Sequence, residues 1–200
     1  MVYQLNEDLW FPDPCGGNSD GLIAVGGDLS PQRLMLAYSH GIFPWYPFKP
    51  EDWQGHEPQI QWYCPMDRFV IFPSKIHISH SMRSLINSQR YLVSFNKDFD
   101  GVIHACGSLR EKEEGAWLGP GIIEAYTRLH QMGIACSVEV WDQDGQLSGG
   151  LYGLIVGKAF IGESMFSIKP SASKLALISL ASILQEAGAS MIDCQMETQH

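Results

Sequence analysis

From Pro120 onward, apolar and polar positions follow one another with two distinct periods. Ile122, Tyr126 and Leu129 fall on one face of a helix that opens at Pro120 and stops at Gly133. The runs ACSVEVW, LSGGLYGLIVG and AFIGESMFS then have the length and β-branched content of strands, separated by turns at DQDGQ and Gly157-Lys158. They predict a three-strand meander. After the loop IKPSAS, a second helix is expected from about Ser173 to Ala187, with Gly188 as its stop, leading into a strand at MIDCQ. A helical crossover between AFIGESMFS and MIDCQ allows these two strands to lie parallel and adjacent.

The first half is less regular. Residues 1 to about 60 are rich in Gly, Pro and Trp, and within them SPQRLMLAYSHG reads as a short helix. Ser30 is its N-cap, Pro31 stands in the first turn and Gly41 ends it. GIFPWYPF is expected as an aromatic turn or loop. Strands are expected at IQWYC, RFVIFP and YLVSF, a helix at about Ser81–Ser88, and another capped by Asp98 and running through Ala105. The charged stretch LREKEEG, residues 109–115, marks an expected boundary between a domain at 1–112 and one at 113–200. The fold class is therefore α+β.

Against this apolar background a few polar residues stand out. Asp193 and Gln195 are two apart in MIDCQ, so an extended strand would direct both to one face. Glu163 occupies a similar place in FIGESMFS. Unpaired carboxylates and amides are costly to bury, so this cluster reads either as a site for proton handling or amine positioning, or as a hydrogen-bonded structural pair.

At 200 residues, with 45% hydrophobic and 18% charged positions, the chain can bury a real core. No apolar run approaches the ~18 residues of a membrane span, and the N-terminus lacks a basic region followed by an apolar stretch. A cytoplasmic protein with no membrane partner is expected. The five cysteines are scattered with no CxxC pair, which favours reduced thiols over a disulfide framework or zinc knuckle.

A net charge of −9 argues against indiscriminate nucleic-acid binding. Its distribution changes the picture. Arg68, Lys75, Arg83, Arg90 and Lys97 fall in a segment without any acid; setting these five cations aside leaves −14 on the remainder. Such a segment either holds a polyanion locally or is a solvated basic face.

The blocks GLIAVGGDLSPQRLMLAYSHGIFPWY, AYTRLHQMGIACSVEVW, GGLYGLIVGKAFIGESMFS and MIDCQ together closely resemble leucyl/phenylalanyl-tRNA–protein transferases, from about residue 9 to the last. The resemblance implies a GNAT-like acyltransferase domain in the C-terminal part and a smaller N-terminal α+β domain. It further implies transfer of Leu or Phe, and more weakly Met, from aminoacyl-tRNA to an N-terminal Arg or Lys of an acceptor protein, which marks that protein for degradation. Family members usually continue past the position of His200, so the catalytic domain is expected to lack its usual tail. Ser171 stands where members commonly carry Asn, and the GPG at 119–121 is unusual.

The reaction so implied is chemically simple. An aminoacyl ester is already activated, so no ATP, metal or covalent enzyme intermediate is required, and no cofactor is expected. The protein must align an α-amine with the ester carbonyl, help it lose a proton and stabilise the oxyanion. By resemblance Gln195 orients the amine, Asp193 holds or relays its proton, and Glu163 helps place the donor's own amino group. Which group acts as base stays open, the tRNA's terminal hydroxyl included. The apolar candidates for the donor pocket are Leu151, Phe160, Met165, Leu177 and Ile178, each of which equally suits plain core. Trp45 and Trp117 match tryptophans that line the site of the tRNA's terminal adenosine, with Tyr38 a third candidate. The five cations from Arg68 to Lys97 then suit the phosphates of the acceptor stem.

Three other readings use the same residues. An acetyl-CoA N-acyltransferase would share the helix, meander, helix, strand order, and Gly119 and Gly121 half-mimic its pyrophosphate loop. A non-catalytic RNA-binding module would use the basic run and aromatics, but leaves Asp193, Gln195 and Glu163 unexplained. A metal site at His77, Ser79 and His80 lacks a Cys or carboxylate at ligand spacing.

Overall fold

A computed structural model describes residues 1–45, 59–113 and 118–196. It divides into two compact units, Met1–Arg68 with Gly107–Leu129, and Phe69–Cys106 with His130–His200. Among the described residues, no helix is long and apolar enough to cross a membrane.

The first unit holds a four-stranded sheet of β1 (Tyr3–Leu5), β2 (Leu22–Gly26), β3 (Phe43–Trp45) and β4 (Gln61–Tyr63), in the order β1-β2-β4-β3. β1 runs parallel to β2, and β4 is antiparallel to both β2 and β3. Trp62 is fully buried and its indole N–H donates to the Gly26 carbonyl at 2.8 Å. Helix α1 (Pro31–Ser39) forms as its caps dictate: the Ser30 hydroxyl accepts the Arg33 N–H at 3.3 Å, and Gly41 leaves the helix at φ +75°. The segment expected as an aromatic loop instead supplies β3, because Phe43, Pro44 and Trp45 pair against Tyr63, Trp62 and Gln61. An edge strand accommodates Pro44, which has no N–H to donate.

The second unit is built on a six-stranded sheet of β5 (Val70–Ile71), β6 (Leu92–Phe95), β7 (Ala135–Trp141), β8 (Leu147–Val156), β9 (Ala159–Ser167) and β10 (Met191–Asp193). Their order is β5-β10-β9-β8-β7-β6. The expected meander is present as β7-β8-β9. Helix α5 (Ala172–Glu186) makes the crossover, and β10 lies parallel to β9 with Ile192 opposite Phe160 and Asp193 opposite Ile161. α4 (Pro120–Gln131), most of which belongs to the first unit, precedes the meander, so the chain follows the expected helix, meander, helix, strand order.

α5 covers one face of this sheet. Leu175, Ala176, Leu180 and Leu184 of the helix join Val138, Val140, Leu151, Phe160 and Ile192 of the strands in a single apolar cluster. Helix α2 (His80–Asn87) adds Met82 to it. Ser79, weighed above beside two histidines, is the N-cap of α2 and accepts the Met82 N–H at 3.3 Å. Helix α3 (Phe99–Glu113) runs further than Ala105, so residues 109–113 of the charged stretch are helical. Strands β5 and β6 both precede residue 113, yet they belong to the same sheet as β7–β10.

Candidate active site

The polar cluster forms where β9 and β10 part. β10 ends at Asp193, so Gln195 does not continue the strand as an alternating position. It sits instead in a left-handed turn at φ +60°, with its backbone N–H donated to Asp193 Oδ1 at 2.8 Å. This is an Asx turn, in which a side-chain oxygen stands in for a backbone acceptor. The turn is held from the other side by Phe69, the residue just before β5: Cys194 N–H donates to the Phe69 carbonyl at 2.9 Å, and Phe69 N–H to the Gln195 carbonyl at 3.3 Å.

Gln195 is thereby aimed at Glu163, whose Oε1 accepts its Nε2 amide at 3.2 Å. Glu163 is itself 8% exposed. Its position has a local cause. Tyr152 of β8 pairs with Ser164 of β9, but Gly153 pairs with Gly162, so Glu163 is an extra residue in β9. Such a β-bulge bends the strand and re-aims the inserted side chain. Asp193, Gln195 and Glu163 are thus brought together, by a turn and a bulge rather than by one flat strand face.

Two neighbouring groups complete the environment. The Cys194 thiol is pushed up to about 11 by burial and, secondarily, by the Asp193 charge. It is therefore a protonated thiol at neutral pH, not a nucleophile. Ser164, beside Glu163, is 7% exposed, and its hydroxyl has no hydrogen-bond partner among the described residues. The sequence offered one signal for it, a hydroxyl following a carboxylate inside an apolar strand.

The expected donor-pocket residues all lie in or against the apolar cluster under α5. Leu151 and Phe160 are buried in it, while Met165, Leu177 and Ile178 are partly buried against it. Of these, only Ile178 lines a separate cleft of about 410 Å³, formed with Pro73, Ile76, Leu85, Tyr91 and Leu175. That cleft was not foreseen; the apolar positions of the segment 73–93 carried its signal.

The aromatic candidates have different surroundings. Trp45 is half-buried on the first unit's sheet, edge-on to Tyr63 at 5.3 Å. Tyr38 is buried in the same unit and its hydroxyl is hydrogen-bonded to that of Tyr126. Trp117 lies outside the described residues.

Of the basic run, Lys75, Arg83, Arg90 and Lys97 are exposed on the second unit. Lys75 rests over the Phe72 ring at 5.2 Å and Lys97 over Trp141 at 5.1 Å. Arg68 belongs to the first unit, where its guanidinium donates to the Gly41 carbonyl at 3.1 Å and covers the Phe43 ring at 5.3 Å.

The chain's sequence matches two family models, leucyl/phenylalanyl-tRNA protein transferase over residues 70–200 and the N-terminal domain of the same family over residues 27–66. The chain belongs to the leucyl/phenylalanyl-tRNA protein transferase family. The junction between those matches, at residues 67–69, coincides with the passage from the first unit to the second at Arg68 and Phe69. A leucyl/phenylalanyl-tRNA–protein transferase of Desulfatibacillum aliphaticivorans is 46% identical over all of this chain and 82% of its own length. One of Ectopseudomonas mendocina (strain ymp) is 51% identical over 90% of this chain and 76% of its own length. A solved structure of L-PGS from Bacillus licheniformis superposes with a TM-score of 0.47 at 12% identity, over 88% of this chain and 54% of that one. At that level the likeness adds nothing to the topology already described.

Proposed function

We propose that this chain transfers Leu or Phe, and Met more weakly, from aminoacyl-tRNA to the N-terminal Arg or Lys of acceptor proteins in the cytoplasm. The product would carry a bulky apolar N-terminus and enter degradation through an N-degron pathway. The observation that carries the reading is the Glu163–Gln195–Asp193 cluster at the rim of an apolar layer, in a member of this family.

In the reaction the acceptor's α-amine, once deprotonated, attacks the ester carbonyl. A C–N bond forms, the C–O bond to the terminal ribose breaks, and a proton passes from the amine to the departing ribose oxygen. A free α-amine has a pKa near ~8, so part of it is already neutral near neutral pH, and a carboxylate within reach can take up the proton it loses. Asp193 is assigned to the acceptor amine, with Gln195 orienting it. Glu163, within hydrogen-bond reach of Gln195, is assigned to the ammonium of the donor amino acid. The donor side chain enters the apolar layer of Leu151, Phe160, Met165, Leu177 and Ile178. A pocket of that kind discriminates by only roughly 1–3 kcal/mol per methylene, consistent with acceptance of several unbranched apolar side chains. Trp45 and Trp117, with Tyr38 as a third candidate, are assigned to the terminal adenosine, and the exposed cations between Lys75 and Lys97 to acceptor-stem phosphates.

The test is direct. Incubation with Phe-tRNA and a peptide beginning with Arg or Lys should add one Phe residue to that peptide, read by mass spectrometry. A peptide that gains acetyl from acetyl-CoA but no Phe from Phe-tRNA would overturn the proposal.

A further inference from the structure

The cleft of about 410 Å³ in the second unit is separate from the polar cluster, since neither Glu163, Asp193 nor Gln195 lines it. α5 forms one wall. Its inward stripe of Ala176, Leu180 and Leu184 is spent on the apolar cluster, and the stripe beside it presents Ser179, Ser182 and Gln185 to the cleft. The facing wall is aliphatic, made by Ile76, Ile78, Leu85 and Ile86. Among the described residues that line the cleft, Tyr91 is the one aromatic. Ile86 is 40% exposed although it lines the cleft, which places it at the mouth.

The charge around this cleft is opposite in sign to that of the chain, which carries −9. Lys75 adjoins Ile76, Arg83 stands one helical turn before Ile86, and Arg90 adjoins Tyr91. Lys174 adjoins Leu175, which also lines the cleft. All four cations are exposed. Against them, residues 73–95 and 172–186 together hold a single acid, Glu186 at the end of α5. The turn that grips Arg90 through Gln143 adds Asp144 and Asp142, and the latter is paired with Lys169 at 2.5 Å.

Volume and lining suit a small ligand, because such sites run to roughly 300–1,000 Å³ and are mostly apolar with a few polar groups. Aliphatic walls with one ring favour a flexible alkyl chain over a planar ring system, which gains most from stacking on aromatics. The surrounding cations call for an anionic head. We propose that this cleft binds a medium-chain alkyl carboxylate, with its chain between α2 and α5 and its head among Lys75, Arg83 and Arg90. The site goes beyond aminoacyl transfer, and its test does not depend on that reaction.

Calorimetry on the full chain with octanoate, decanoate and dodecanoate, each below its micelle concentration, provides that test. Decanoate should bind at one site, and affinity should rise about threefold to fourfold for each added methylene along the series. Decyltrimethylammonium has the same chain length and the opposite charge, and should bind at least roughly tenfold more weakly. Ile86→Glu sets a like charge at the mouth and should cost at least roughly tenfold in decanoate affinity. Lys75→Ala combined with Arg83→Ala should cost roughly threefold to tenfold. Thermal melting shows whether each variant is folded, and if Ile86→Glu is not, the exposed double variant decides alone. No binding of any of the three carboxylates would overturn the proposal, as would a series without a rise, equal binding of the two head groups, or affinity unchanged in the variants. Capture by phosphatidylglycerol vesicles without binding of decanoate would also overturn it, because the surface would then be a membrane contact.

Discussion

Gln195 Nε2 and Glu163 Oε1 stand 3.2 Å apart across the seam between β9 and the turn after β10. The pair spans 32 residues, the same offset by which Asp193 faces Ile161 in the ladder. Gln195 therefore occupies the place opposite Glu163 that a longer β10 would have supplied, but its left-handed backbone converts a ladder position into a side-chain contact.

Removing that contact should be felt at the chemical step. Gln195→Ala leaves the largely buried Glu163 carboxylate without this donor, a hydrogen bond to a charged group worth roughly 1.5–3 kcal/mol. Single-turnover transfer from Phe-tRNA should fall by about tenfold to a hundredfold. A variant that transfers at the wild-type rate would take Gln195 out of the mechanism.

Asp193 has two separable duties, and two substitutions distinguish them. Asp193→Asn keeps an oxygen that can accept the Gln195 N–H and so should preserve the turn and the melting temperature. It removes the charge, and with it a contribution to proton handling of the order of 10²–10⁴ in rate. Asp193→Ala should lose both the turn and the activity. Transfer by Asp193→Asn at a rate near wild type would reduce Asp193 to a structural role.

The caps of α1, the meander and the parallel pairing of β9 with β10 were all legible in the chain, because each depends on local signals: a Ser-Pro start, a Gly stop, a crossover helix of the right length. The bulge at Glu163 was not, since an extra residue is defined only by the partner strand's register, and nothing in FIGESMFS announces that the pairing jumps from Gly153–Gly162 to Tyr152–Ser164. The Asx turn at Asp193 escaped for a related reason: MIDCQ reads as continuous strand until Gln195 takes up its left-handed conformation. Arg68 shows the limit of charge patterning. It counts as one of five cations in the sequence, yet its guanidinium is committed to Gly41 and Phe43.

That commitment shapes the salt dependence of tRNA binding. With about three to four phosphate contacts from Lys75, Arg83, Arg90 and Lys97, log K should fall against log salt with a slope of roughly −2 to −4. Replacing Lys75 and Arg83 together by Ala should shallow it by about one to two units. Arg68→Ala should instead leave the slope alone and lower stability by about 1–2 kcal/mol, through loss of the Gly41 hydrogen bond and the Phe43 stacking. A double variant with an unchanged slope would place the RNA elsewhere on the surface.

Ser171 offers a test of the fold independent of chemistry. It precedes α5 at φ +66° and ψ +7°, in the left-handed region, and its side chain makes no capping hydrogen bond to the helix. A serine there bears the Cβ–carbonyl crowding of left-handed backbone without the cap that commonly offsets it, a cost of about 1 kcal/mol. Glycine lacks that crowding, and Asn tolerates this conformation better than most side chains. Ser171→Gly and Ser171→Asn should each therefore stabilise the protein by about 0.5–1 kcal/mol, a rise of roughly 1–4 °C in Tm for a chain of this size. Ser171→Val should have the opposite sign, because a β-branched side chain is strongly disfavoured at positive φ. Differential scanning calorimetry decides it: a fall in Tm for both Gly and Asn would mean that the serine hydroxyl holds α5 in a way its geometry does not reveal.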